Sequence, residues 1–224
     1  MSLILNIRLL CSVIYLMVSM GEAMAIEEPV YDVIEQSKNI EIRQYRPFII
    51  AETIVEGNMD EASTAGFRRI AAYIFGDNQV KSVHGESTSE KIAMTAPVTV
   101  EPVKSEKIAM TAPVTVEPVS REAQPVAWRV FFVMPQAYTL TTLPKPRSEL
   151  VSLREVPGKR QAVLTFSGFV SEHGMQKKVA ELQQWLLQRN MQHVASAQLA
   201  RYNPPWTLPF WRRNEVMIEL PVPQ

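Results

Sequence analysis

A single cysteine, Cys11, serves the whole 224-residue chain, and it lies inside the apolar run LLCSVIYLMVSM near the start. A chain that matures beyond that run keeps no thiol. Disulfides, thiolate metal centres, haem attachment through Cys-x-x-Cys-His and cysteine nucleophiles are then all excluded. Glycine is scarce, at eight residues, and neither a glycine-rich phosphate loop nor a G-x-S-x-G nucleophile elbow occurs. The three histidines, His84, His173 and His193, are too dispersed to form a metal-binding motif. Carboxylates are plentiful but scattered, and no pair has a spacing that compels general acid–base chemistry. An enzyme is therefore not the expectation. Excess charge of either sign is missing too: Lys plus Arg and Asp plus Glu both total 23. No global field draws the molecule to nucleic acid, which is not expected as a partner.

The apolar run is shorter than the roughly 20 residues of a membrane-spanning helix. It follows a short start with one arginine and ends at Ala23-Met24-Ala25, the small-x-small pattern that signal peptidases accept. Residues 1–25 read as a signal peptide and residues 26–224 as the mature domain, exported to a periplasmic or secreted location. The competing reading is an uncleaved N-terminal anchor, which would be the only membrane contact expected.

The mature chain carries an internal repetition. YDVIEQ, IEIRQY and FIIAETIVE alternate as strands and stop at Gly57; LVSLREVP and RQAVLTFSG do the same and stop at Gly168. Each glycine precedes a helix. In the first, Asn58 and Glu61 suit a capping box, Phe67, Ile70, Ala71 and Ile74 form an apolar face, and Gly76 ends it. In the second, Ser171 suits the N-cap, and Met175, Val179, Leu182 and Leu186 share a face. Arg43 and Arg154, Ala51 and Ala162, Gly57 and Gly168, and Glu61 and Glu172 all stand 111 residues apart. Each half closes with a further strand, AWRVFFVMP or NEVMIELP. Strand pair, helix, strand pair, repeated, implies an α+β domain with pseudo-twofold symmetry around a shared core.

A second repetition is literal. SEKIAMTAPVTVEPV fills residues 89–103 and again, unchanged, residues 105–119. Alternation places Ile92, Met94, Ala96, Val98 and Val100 on one face of a half-buried strand, and Pro97 requires an edge or a bulge. The sixteen-residue shift is even and so preserves the inward face. One copy forms the sheet strand in this reading, while the other bulges out as a flap.

IEIRQYRP, KIAMTAPV and ARYNPPWTLPFWRRNEVMIEL together resemble the SOUL haem-binding protein family across nearly all of residues 28–221. The resemblance implies a distorted antiparallel β-barrel flanked by two helices, matching the two-half plan. It also implies non-covalent binding of haem or another tetrapyrrole, as a carrier, buffer or sensor. Haem-ligating relatives place a histidine between the Arg and Tyr of the first motif, and here that position is Gln44, a poor iron ligand. The candidate cofactor-binding residues are Gln44, Tyr45, Arg46, Phe67, His84, Met94 and Met110, with His84 also the candidate metal ligand. Arg43, Arg68 and Arg69 are further rim cations for propionates, and Glu215 suits an ion pair with Arg212 or Arg213. Two readings of other classes stay open: a protein-interaction module with a side-chain-filled pocket and an unidentified partner, and a pocket enzyme acting on a hydrophobic ligand.

Overall fold

The computed structural model describes residues 26–80, 88–103 and 127–221. The leader, His84, Met110 and the second copy at 105–119 lie outside the described residues. In chain order come β1 (Tyr31–Ser37), β2 (Ile40–Tyr45), β3 (Phe48–Glu56), α1 (Met59–Ile74), β4 (Asn78–Gln79), β5 (Val98–Pro102) and β6 (Ala127–Val133). They are followed by β7 (Lys145–Pro146), β8 (Ser152–Val156), β9 (Lys159–Phe166), α2 (Glu172–Gln188), β10 (Gln198–Arg201), a 3-10 turn (Pro209–Trp211) and β11 (Asn214–Leu220).

Nine strands form one antiparallel sheet in the order β1-β2-β9-β11-β10-β5-β6-β3-β8. Leaving out β1, the order is a palindrome: exchanging the halves maps β2 onto β8, β9 onto β3, β11 onto β6 and β10 onto β5. The pseudo-twofold therefore passes between β5 and β10, where Leu199, Ala200 and Arg201 face Val100, Thr99 and Val98. The symmetry also explains the curl. Two-residue links, Arg46-Pro47 and Pro157-Gly158, join β2 to β3 and β8 to β9, strands that are not hydrogen-bonded to each other. Such a link spans at most about 11 Å, so the sheet bends until its two ends approach, forming a half-barrel. The links pack against each other: a Cβ at Gly158 would lie 3.0 Å from the Tyr45 carbonyl oxygen.

One face of the sheet carries the main core. Ile40, Ile42, Ala51, Val100, Val130, Phe132, Ala162, Leu164, Val216 and Ile218 alternate inward and pack with side chains of both helices. Asn58 Oδ1 accepts from the N–H groups of Asp60 and Glu61 at the start of α1, and Ser171 Oγ accepts from Gly174 N–H at α2. Gly57 and Gly168 both hold positive φ, +112° and +106°, which lets each strand end turn into its helix. The helices are not equally embedded. Gly66 sits so close to Val130 that a Cβ there would lie 2.5 Å away, and α1 buries eight residues where α2 buries three. Phe67 falls at the margin of the α1 face, 38% exposed, with its ring 5.5 Å from that of Phe132.

The first MTAPV copy departs from simple alternation. Only Val98–Pro102 enters the sheet. Before it, Ile92 N–H donates to Ile74 O, Ala96 N–H donates to Glu27 O, and Thr95 Oγ1 donates to Val133 O. Thr95, Ala96 and Pro97 are all buried, while Met94 is 38% exposed rather than inward. The physical reason is that residues 92–97 take partners from three different segments, so no pleat dictates which side chain turns inward.

Candidate functional site

Where the two ends of the sheet approach, a cleft of about 420 Å³ opens. The N-terminal segment 27–30 forms one wall, held by Arg46 N–H donating to Val30 O and Ala96 N–H donating to Glu27 O. The β2–β3 link supplies Arg46 and Pro47, and β3 supplies Phe48 and Ile49. The end of β6 and its following loop supply Val133, Met134, Tyr138 and Leu140. Thr95 lines the same space, so the first MTAPV segment serves as part of the wall. Three carboxylates, Glu27, Glu28 and Glu155, share the rim with Arg46. Glu28 is neutralised by Arg213, whose Nη1 lies 3.0 Å from both of its oxygens, and Glu27 accepts from Gln136 N–H.

Behind the cleft, Phe48 packs edge-on against Tyr45, with ring centroids 6.5 Å apart. Tyr45 belongs to a buried polar cluster on the sheet face opposite the helices. At its centre Glu215, with no exposed surface, receives Nη1 and Nη2 of Arg43 at 2.9 and 3.0 Å in a bidentate pair. Tyr202 Oη donates to it at 2.6 Å, Arg213 Nη2 at 2.9 Å and Thr165 Oγ1 at 3.4 Å. Arg43 also donates to Glu41 and to the Tyr45 hydroxyl, and its guanidinium lies 4.3 Å from the Tyr31 ring centroid. Burial works to raise the Glu215 carboxyl, but Arg43, Tyr202 and Arg213 outweigh it and hold the group below the ordinary carboxylate range. Burial raises the Tyr45 and Tyr202 phenols well above theirs, so both stay neutral hydrogen-bonding groups.

On the same face a polar ladder crosses the sheet. Gln161 donates to Gln198, Gln198 to Glu101, and Arg129 lies between Glu101 and Glu52, which Arg154 grips with two further bonds. Every charge in this partly exposed ladder faces an opposite one.

The structure thus separates the sequence candidates. Arg46 lines the cleft, and Met94 is the neighbour of Thr95 at its wall. Gln44 and Tyr45 adjoin Arg46 in the chain but do not line the cleft; Tyr45 is committed to the Glu215 cluster. Phe67 lies on α1 against Phe132, apart from the cleft, and Arg43 is buried rather than at any rim. Glu215 does pair with Arg213, while its other cation is Arg43, not Arg212. Sequence reading missed Phe48, Ile49, Val133 and Met134 as a lining. The antiparallel pairing of β3 with β6 sets the start of β3 beside the end of β6, a long-range contact that no local signal marks. Among the described residues no group of His, Cys, Asp and Glu is placed to hold a metal ion.

Several solved structures share this architecture. A hydrolase from Listeria innocua aligns with a TM-score of 0.50 at 12% identity, covering 84% of this chain and 94% of its own. The C-terminal domain of EcmrR aligns at 0.53 and 6% identity, covering 86% and 98%. An uncharacterized conserved protein from Listeria innocua aligns at 0.53 and 12%, covering 81% and 92%. At these identities the likeness is one of fold alone. No curated protein matches the chain. The family model for SOUL heme-binding protein, however, matches residues 26–219, nearly the whole chain. The chain belongs to the SOUL heme-binding protein family.

Proposed function

We propose that this protein is an exported, reversible tetrapyrrole binder, acting as a carrier, buffer or sensor, and that the cleft beside Arg46 is its binding site. The observation that carries the reading is a cleft of about 420 Å³, lined by apolar and polar side chains in similar measure and including the cation Arg46, in a member of a haem-binding family. Its volume falls within the roughly 300–1,000 Å³ of small-molecule sites. Phe48, Ile49 and Val133 offer contact surface for a flat macrocycle, and Arg46 suits one propionate. Burying a few hundred Å² of macrocycle contributes on the order of several kcal/mol before the costs of association. The described lining holds no histidine or cysteine, and of its other iron donors Met134 is buried and Tyr138 donates its hydroxyl to Glu90, so the set fits a ligand held by contact and charge better than by an iron bond. Glu27 and Glu155 oppose a second propionate.

Titration of the exported protein with hemin tests the reading. A saturable Soret shift of defined stoichiometry is expected, with Arg46→Ala weakening binding several-fold and Glu155→Gln strengthening it. Only weak, non-saturating absorbance changes would sink the proposal and leave the interaction-module reading in its place.

A further inference from the structure

Among the described residues, several of the most exposed large apolar side chains lie together outside the cleft. The loop 202–213, closed at its base by Tyr202 N–H donating to Arg213 O, exposes Trp206 (83%), Trp211 (70%), Phe210 (64%) and Leu208 (48%). Phe169, 75% exposed, joins them, because Arg212 lies over its ring at 4.6 Å and Gly168 N–H donates to Pro209 O. Soluble monomers rarely leave such a patch bare unless something covers it. The loop is stiff: it contains Pro204, Pro205 and Pro209, and Arg212 bonds the carbonyls of Thr207 and Pro205 from within. It holds two arginines and no acidic residue, and Arg212 makes no ion pair among the described residues.

We propose that loop 202–213 together with Phe169 is a bilayer-docking surface that inserts into the headgroup region and prefers anionic lipid. Three observations select a bilayer over a protein partner. Side chains as exposed as Trp206 and Trp211 protrude, and a protruding apolar tip needs a deformable acceptor rather than a flat one. Trp side chains around polar backbone are the composition favoured at membrane interfaces, while Arg212, whose charge no described carboxylate neutralises, complements anionic headgroups. The described chain also starts at this edge: Glu28, two residues after Ile26, is pinned to Arg213 at the loop's base, which is where an uncleaved N-terminal anchor would join. No described helix is long and apolar enough to cross a membrane. The proposal is independent of the ligand in the cleft.

The test uses the exported protein with whatever N terminus it retains, mixed with phosphatidylcholine vesicles with and without phosphatidylglycerol. Brominated lipid reports insertion through tryptophan emission whether or not an anchor remains. The expected result is a blue shift and quenching, stronger with the anionic lipid. A Phe169→Ser, Leu208→Ser, Phe210→Ser variant is expected to melt like the parent and to partition at least fivefold more weakly. If that variant fails to fold, Trp206→Ser with flotation of the chain from Ile26, which holds every described element, reads the same loss. Emission unmoved by either vesicle overturns the proposal. So does a vesicle-free, concentration-dependent dimer that buries the tryptophans.

Discussion

Glu215 shows how single side chains set the behaviour of this fold. It is buried without exposure yet ionised, because Arg43, Tyr202 and Arg213 all donate to it. Its folded pKa is depressed below the ordinary 4.5. The associated stability is therefore present above about pH 4.5 and is lost as the pH falls through the lower, folded value. Replacing it by Gln leaves the buried Arg43 with only the partly exposed Glu41 as counter-charge, a change expected to cost less than the roughly 3–5 kcal/mol of stranding a buried charge outright. Glu215→Gln is expected to lower the urea midpoint at pH 7 and to flatten the acid limb of the stability curve, both read by equilibrium denaturation across pH. An acid limb as steep as the parent's would assign acid sensitivity to other carboxylates. Gly66 acts by the opposite route, through space that must stay empty. A methyl there meets Val130 at 2.5 Å, so Gly66→Ala is expected to cost about 1–3 kcal/mol by overpacking, despite alanine's better helix propensity.

At the level of elements, strands and helices were legible because each obeys one local rule. Alternation marks β2, β9 and β11, and Asn58, Ser171 and the two positive-φ glycines mark the helix starts. What was not legible depends on partners far away in sequence. Arg43 and Glu215 lie 172 residues apart, and only the paired strands β2, β9 and β11 bring them together. Arg212 looked an equally good partner for Glu215, but it is turned instead to Phe169 and the loop carbonyls. Met94 fails its expected face because residues 92–97 bond to three separate segments rather than to a strand. The same contacts make a prediction about the duplication. Deleting residues 89–104 or residues 105–120 yields chains that differ only in keeping Ser120 or Lys104. Both retain one full KIAMTAPV segment able to bond Ile74, Glu27 and Val133. Either deletion is expected to keep the parent's circular dichroism and to shift its Tm by no more than a few degrees. Loss of cooperative melting would show that the doubling is needed for the fold.

For the whole molecule, the decisive feature is that the two halves exchange strands. β2 pairs with β9 and β3 pairs with β8, so the first strand of each half is hydrogen-bonded to the second strand of the other. The core on the helix face is likewise one cluster drawing on both helices. Cutting between the halves, after Met134, would strip β2 of β9, β3 of β8 and β5 of β10 at once. Each fragment would expose the inward side chains that the other covers, and neither retains a sheet that curls closed. Two separately stable halves are therefore not expected despite the internal symmetry. Urea unfolding followed by far-ultraviolet circular dichroism and by tryptophan emission should give one coincident transition. Trp128 in the first half and Trp185 in the second allow each half to be followed through variants that lack the other tryptophans. Fragments 26–134 and 135–224 should each lack a cooperative transition alone and recover one when mixed. Two resolved transitions in the intact chain, or cooperative melting of an isolated fragment, would mean that the strand exchange adds little to the stability of either half.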